Sequence, residues 1–253
     1  MSDTASDTNR RLTSFGKEIR AVVIGATGGL GNAFANSLAH DPDVSTLHCF
    51  ARQTASGPEP IHPLDLEDEQ SIAEAAETVR EAVGSVHLVL VATGMLHDGA
   101  LQPEKTWRQL SADRFDKSFK INAVGPALVA KHFLPLLARD RKAAFAAISA
   151  RVGSIGDNRL GGWYAYRASK AALNMILRSL SIELARKNKL ALCIGLHPGT
   201  VDTALSEPFQ GNVPDGKLFT PERSALAMLS VLDGLSADDT GHLFAWDGTR
   251  IPF

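Results

Sequence analysis

Cysteine is scarce: Cys49 and Cys193 are the only two in 253 residues. Each falls inside a stretch with strand character, so both read as small buried hydrophobes. That speaks against a disulfide framework or a cysteine-built zinc site, and it fits a reducing, cytoplasmic compartment. Net charge is nearly absent too, a formal −2, which argues against nucleic acid or an anionic membrane surface as a partner. No apolar run reaches the ~20 residues needed to span a bilayer. Met1 to Lys17 is polar and lacks the apolar core of a signal peptide. Residues 1–18 are therefore expected to be a mobile tail, followed by one domain over 19–253.

What is present alternates between two periods. Strands are expected at Ile19–Ile24, Val44–Phe50, just before Asp65-Leu66, at His87–Val91, Ala143–Ser149, Leu190–Leu196 and His242–Trp246. Helical patterns fall between them: Asn32–Ala39, Asp68 (as cap) to Val83, Phe115–Ala138, a long one through Tyr166 to Lys187, and Thr220-Pro221 to about Leu235. His87–Val91 is continuously apolar after its first residue, as suits a parallel strand covered on both faces. The order predicts an α/β fold: a doubly wound parallel sheet of Rossmann type, three layers αβα in one domain. Ligands in such folds bind beyond the carboxyl ends of the strands. No internal repeat is found.

Chemistry-bearing groups cluster at those ends. Gly25-x-x-x-Gly29-x-Gly31 joins the first strand to the first helix. Glycine there allows a tight turn and close approach of a pyrophosphate to the free amides of the helix start. The Lys-Ser/Thr pair of a nucleotide-hydrolysing loop is missing. After the second strand no acid waits for a ribose hydroxyl; Arg52 stands there, and a guanidinium can hold a 2′-phosphate. The expected cofactor is thus NADP, with NAD possible. Tyr166 and Lys170 lie one helical turn apart on one face. A phenol titrates near 10 and is a poor acid-base group at neutral pH; a nearby ammonium favours the phenolate and brings that value down.

With these pieces in order, the chain from about Ile19 onward resembles the short-chain dehydrogenase/reductase family, in its single-domain branch. Arg151-Val152-Gly153-Ser154-Ile155, Tyr166-Arg167-Ala168-Ser169-Lys170 and the ending from Trp246-Asp247-Gly248 to Ile251-Pro252 are similar to its C-factor-like and sniffer-like carbonyl reductases. The resemblance implies that Gly25, Gly29, Leu30 and Gly31 line the pyrophosphate, that Asp65 and Leu66 contact the adenine, and that Ala92-Thr93-Gly94 passes beside the cofactor. It implies Pro198, Gly199 and Thr203 around the nicotinamide, with Lys170 on its ribose. It makes Tyr166 the acid-base group and Asn122 the holder of a relay water. It also implies a homodimer or homotetramer acting on a small carbonyl or alcohol, without metal.

Departures from the family pattern are Ile24 in place of threonine, His87 in place of an acid, and Val91-Ala92-Thr93-Gly94 in place of Asn-Asn-Ala-Gly. The family serine aligns with Ala150. Ser149 is one residue early, which in a regular strand points to the opposite face; it is preferred because a strand end can bend, and Ser154 on the next loop is the alternative. Tyr164 is expected as a pocket wall. Residues 204–219 are expected as a flap with Phe209 and Phe219 as apolar contacts or as lid packing. The rival readings are a non-catalytic NADP(H)-binding regulator, and an epimerase or dehydratase, for whose larger C-terminal region the chain has little room.

Overall fold

The computed structural model describes residues 11–53, 57–98, 102–212, 214 and 216–253. Ten strands and six α-helices occur among them: β1 (Ile19–Ile24), α1 (Gly29–Ala39), β2 (Val44–Ala51), β3 (Ile61–Pro63), α2 (Glu69–Val83), β4 (Leu88–Val91), α3 (Ala112–Phe119), α4 (Gly125–Phe133), β5 (Ala143–Ile148), α5 (Tyr164–Lys187), β6 (Ala191–His197), β7 (Thr200–Val201), β8 (Leu218–Phe219), α6 (Pro221–Gly234), β9 (Leu243–Ala245) and β10 (Arg250–Ile251). The main sheet runs β10-β9-β6-β5-β4-β1-β2-β3. All its pairings are parallel except β9 with β10.

Alternate strand residues go to opposite faces, and the sheet exploits this. Ala21, Val23, Leu88, Leu90, Ala144 and Ile194 face one core with α1 and α6. Val22, Ile24, Val89, Val91, Phe145 and Cys193 face the other, with α2, α4 and α5. Both faces are covered, which is why β1 and β4 are apolar with hardly a break. Both cysteines are buried and unpaired; burial raises Cys49 to about 11 and Cys193 to about 12. Chain order reverses between β1 and β4, so the crevice above their carboxyl ends is where this topology receives ligands. The expected caps are in place: Asp68 Oδ1 accepts from Gln70 N (2.9 Å) and Thr220 Oγ1 from Arg223 N (3.2 Å).

Three expectations need correction. Residues 11–18 are packed: Leu12 and Phe15 have no exposure, and Lys142 lies 4.6 Å over the Phe15 ring. Asp233 at the end of α6 accepts from Thr13 Oγ1 (2.8 Å) and Ser14 N (2.7 Å), so two isolated hydrophobes in a polar stretch suffice to dock it. Residues 1–10 lie outside those described. The helix expected over Phe115–Ala138 is broken by a π turn at Lys120–Val124 and ends at Phe133, because Pro126 and Pro135 each remove a helical donor. The last strand continues into the hairpin partner β10; Ile251 is 2 % exposed and not a free tail. In the 204–219 segment, β7 pairs with β8 and closes a loop whose described part carries a short 3-10 turn at Glu207–Asn212; Val213 and Asp215 lie outside the description.

Candidate active site

The β1–α1 turn is built on the end of β2: Gly25 N and Ala26 N both donate to Phe50 O, at 2.8 and 3.0 Å. Gly25 takes φ +89°, a conformation reserved in practice for glycine. Gly31 permits the closest approach, since a Cβ there would sit 2.1 Å from Gly25 O. No side chain caps α1, so its first amides are left for another acceptor. A cavity of about 570 Å³ opens there, lined by Gly25, Gly28, Arg52, Asp65, Leu66 and Gly94 among others. Arg52 is exposed at its rim with no ion-pair partner among the described residues. Asp65 Oδ1 accepts from Glu67 N (2.9 Å), shaping the turn into α2. Leu66 packs on Gly125, where a Cβ would meet its own at 2.9 Å.

A second cavity, about 410 Å³, shares Gly28, Ala92, Thr93 and Gly94 with the first. It is lined by Gly29, Leu30, Ser149, Tyr166, Lys170, Pro198, Gly199 and Thr203, so most of the residues singled out after successive strands border two adjoining cavities, while Asn122 lines neither. Thr93 Oγ1 is buried in its wall without a partner, an orphan that a polar ligand could satisfy. Gly31 stands behind the loop, packed on Gly25.

Tyr166 is 9 % exposed and Lys170 2 %. Lys170 Nζ donates to Ile148 O at 2.8 Å and lies 5.9 Å from the Tyr166 ring centroid. Burial pushes the phenol up to about 12 and the ammonium down to about 7. The expected depression of the Tyr166 pKa by Lys170 is therefore not produced by the protein's own groups. Desolvation by burial disfavours the charge on each.

Asn122 sits in the π turn, fully buried. Its side chain accepts from Met95 N and donates to Met95 O, both 2.8 Å, and donates to Ser169 Oγ at 3.1 Å. The carboxamide is thus committed to holding the segment after β4. The residue four further on is Pro126, which has no N–H to offer the Asn122 carbonyl.

Ser149 lines this second cavity and Ser154 does not. Ser149 Oγ donates to Asn174 Oδ1 at 2.7 Å, whereas Ser154 Oγ accepts from Asp157 N at 3.1 Å on the outer loop. Asn174 was not among the residues singled out from sequence. It lies one turn beyond Lys170, so continuing the Tyr166–Lys170 face by four residues would have found it. His197 was missed as well; it lines the cavity, and burial with nearby Arg151 lowers it to about 4.

Other expectations separate. Tyr164 does not line this cavity: two residues from Tyr166 on a helix, it faces away. Phe209 lines it; Phe219 does not, stacking edge-on against Trp246 at 4.7 Å. His87 lies at the amino end of β4, fully buried, with Nδ1 accepting from Arg20 N at 3.1 Å; burial lowers it to about 4. It is remote from the chemistry.

Residues 20–213 match the family model described as short chain dehydrogenase. The chain belongs to that family. An uncharacterized oxidoreductase of Schizosaccharomyces pombe is 30% identical over 252 residues, covering 91% of this chain and 96% of its own. The C-signal protein of Myxococcus xanthus is 39% identical over 137 residues, 54% of this chain and 77% of its own. Among solved structures, the NADPH-bound carbonyl reductase from chicken fatty liver superposes with a TM-score of 0.79 at 28% identity, covering 94% of this chain and all of that one. As a dehydrogenase, the chain is an oxidoreductase, and no helix among its described residues is long and apolar enough to cross a membrane.

Proposed function

We propose that this chain is an NADP(H)-dependent carbonyl reductase, interconverting a small carbonyl compound and its secondary or primary alcohol. The observation that carries the proposal is the pair of adjoining cavities, with Gly28, Ala92, Thr93 and Gly94 in both walls, that reach from Arg52 and the glycine turn to Tyr166 and Lys170. The unpartnered Thr93 Oγ1, the uncapped α1 and the close-packed Gly25–Gly31 turn suit an elongated phosphate-bearing ligand. Arg52 would take the 2′-phosphate, Asp65 and Leu66 the adenine end, and Pro198, Gly199 and Thr203 the nicotinamide end. NADPH, when bound, supplies the hydride.

The protein's part is the proton. Tyr166 is protonated at neutral pH and opens on the cavity, so its O–H can donate to an oxygen that gains charge as the carbonyl is reduced. Lys170, poised near neutrality, can pass a proton back toward the phenol oxygen. Asn122 would order a relay water with its backbone carbonyl, its side chain being occupied with Met95. Ser149 would meet the substrate oxygen. A half-turn of the Asn174 carboxamide makes its otherwise unpartnered Nδ2 the donor to Ser149 Oγ, releasing the serine O–H toward the cavity. Pairing through α4 and α5 into a homodimer is also proposed, on the exposed Val124, Met175 and Ile182.

The test is NADPH oxidation with a panel of aldehydes and ketones, for wild type and Tyr166→Phe. Wild type should turn over at least one class; Tyr166→Phe should bind NADPH normally and lose turnover by at least 100-fold, about the contribution of a general acid. Full turnover in the variant would remove Tyr166 as the acid. A second reading, a non-catalytic NADP(H)-binding regulator, is favoured by one observation: the Ser149 hydroxyl is spent on Asn174 Oδ1 and not turned to a substrate. NADPH binding without turnover of any carbonyl would select it.

A further inference from the structure

Three successive residues before α5 adopt left-handed backbone: Gly161 (φ +63°), Gly162 (φ +66°) and Trp163 (φ +51°, ψ 44°). For glycine this is routine, but for a bulky aromatic it is an outlier, and only Glu18 joins Trp163 among the described non-glycine residues. Such strain persists only where the surroundings over-determine it. Here they do. Trp163 N donates to Glu104 O at 2.5 Å, and the Glu104 carboxylate Oε2 accepts from Ala165 N at 3.3 Å. That carboxylate, 1 % exposed, comes from a distant loop and stands where α5 has no capping side chain of its own. From the other side Arg167 Nε donates to Gly161 O and Gly162 O, at 3.1 and 3.0 Å.

The outcome is a fixed indole. It meets the Tyr166 ring edge-on at 6.3 Å and the Phe209 ring at 5.0 Å, and both Trp163 and Phe209 line the catalytic cavity. Among the described residues, no Asp, Glu or Arg lines that cavity. The one ammonium among the described lining residues, Lys170, is turned to Ile148 O and away from the charge that an anionic substrate would bring.

We infer that Trp163 and Phe209 form an aromatic slot, held by Glu104, that selects flat, uncharged, apolar carbonyl substrates. This rests on the reductase reading above and names its substrate class. Glu104 is a positioning residue: it acts through Trp163 and the start of α5, not on the substrate.

The experiment compares kcat/KM with NADPH for 2-naphthaldehyde, butanal, benzaldehyde and 4-carboxybenzaldehyde, in wild type, Trp163→Gly, Glu104→Ala and Glu104→Gln. Wild type should favour 2-naphthaldehyde over butanal, and benzaldehyde over its carboxylate, by tenfold or more each. Trp163→Gly should cut the naphthaldehyde-to-butanal ratio at least tenfold. Glycine suits φ +51°, so this variant should fold, with a melting temperature no lower than wild type. Glu104→Ala should lower the same ratio, while Glu104→Gln, whose carboxamide oxygen still accepts from Ala165 N, should keep most of it. A ratio in Trp163→Gly within threefold of wild type, or equal use of the carboxylate, overturns the slot. Should no carbonyl be reduced at all, the reductase reading fails and the slot is decided by binding. Quenching of tryptophan fluorescence by 2-naphthaldehyde should then be tenfold weaker in affinity in Trp163→Gly, and equal affinity overturns it.

Discussion

Lys170→Met removes the fully buried ammonium of the site, and the consequence for stability carries a definite sign. In an unfolded chain a lysine titrates near 10.4, whereas burial holds Lys170 at about 7 in the fold. Below pH 7 both states carry the proton and folding bears the whole cost of burying a charge. Between about pH 7 and pH 10 the unfolded chain binds one proton more than the native one, so native stability rises with pH. At 1.36 kcal/mol per pKa unit the full span is about 4–5 kcal/mol, an order-of-magnitude figure. Lys142, half-buried and lowered to about 8, adds a smaller rise over the upper part of the same window. Tyr166 acts in reverse: the native phenol keeps its proton to about 12 while the unfolded one loses it near 10, so stability falls again above pH 10. Methionine keeps the length of the stem and carries no proton. It forfeits the bond to Ile148 O, about 1 kcal/mol. Urea unfolding without nucleotide at pH 6.5, 8 and 9.5 reads the difference. Lys170→Met should be more stable than wild type at pH 6.5, and its rise toward pH 9.5 should shrink to the part due to Lys142. An unchanged slope in the variant would mean that Lys170 is charged in the native site, and the account of its burial would be wrong.

Gly31→Ala would place a Cβ 2.1 Å from Gly25 O and force the β1–α1 turn apart, at about 3 kcal/mol of stability and with loss of NADPH binding. Gly28→Ala, whose nearest neighbour is 3.4 Å away, should stay within about 0.5 kcal/mol of wild type in the same melts. Arg52→Ala should lower the NADPH-to-NADH ratio of kcat/KM at least tenfold, the value of a charge-assisted hydrogen bond; an unchanged ratio would leave the 2′-phosphate without this partner. Ser149→Ala and Asn174→Ala should each lower kcat about tenfold with little change in KM for NADPH, and Ser154→Ala should not; full turnover in both of the first two would mean the site works without a serine donor.

The alternation of strands and helices, the caps at Asp68 and Thr220, and the burial of both cysteines could be read from the chain because each is signalled by residues close in sequence. Tyr166 and Lys170 were legible for the same reason: helical spacing alone sets them on one face. What escaped depends on contacts between segments far apart. Leu12 and Phe15 are buried, with Asp233 of α6 binding Thr13 and Ser14 between them, a contact from a segment far along the chain. The π turn needed Pro126 to be weighed against a helical pattern that otherwise continues. The pKa of Tyr166 turned on depth of burial, which a one-dimensional spacing does not carry.

The division between legible and illegible residues follows what each must meet. Groups that would contact the cofactor face a ligand of fixed shape, so they sit at fixed places: after β1, after β2, after β4, on α5 and after β6. Groups that would contact the substrate come from segments free to differ. Phe209 belongs to the loop between β7 and β8, and Trp163 is held in place by Glu104, whose carboxylate lies 61 positions before the Ala165 amide that it accepts from. Even the local signal was ambiguous, because Gly161-Gly162 announces a turn without saying that the next residue shares its backbone hand. A tryptophan in that conformation bears about 1–2 kcal/mol of backbone strain that glycine would not. A fold optimised for stability alone would place a glycine there. The strain is held by the Glu104 and Arg167 contacts, and what the indole faces is the cavity beside Tyr166.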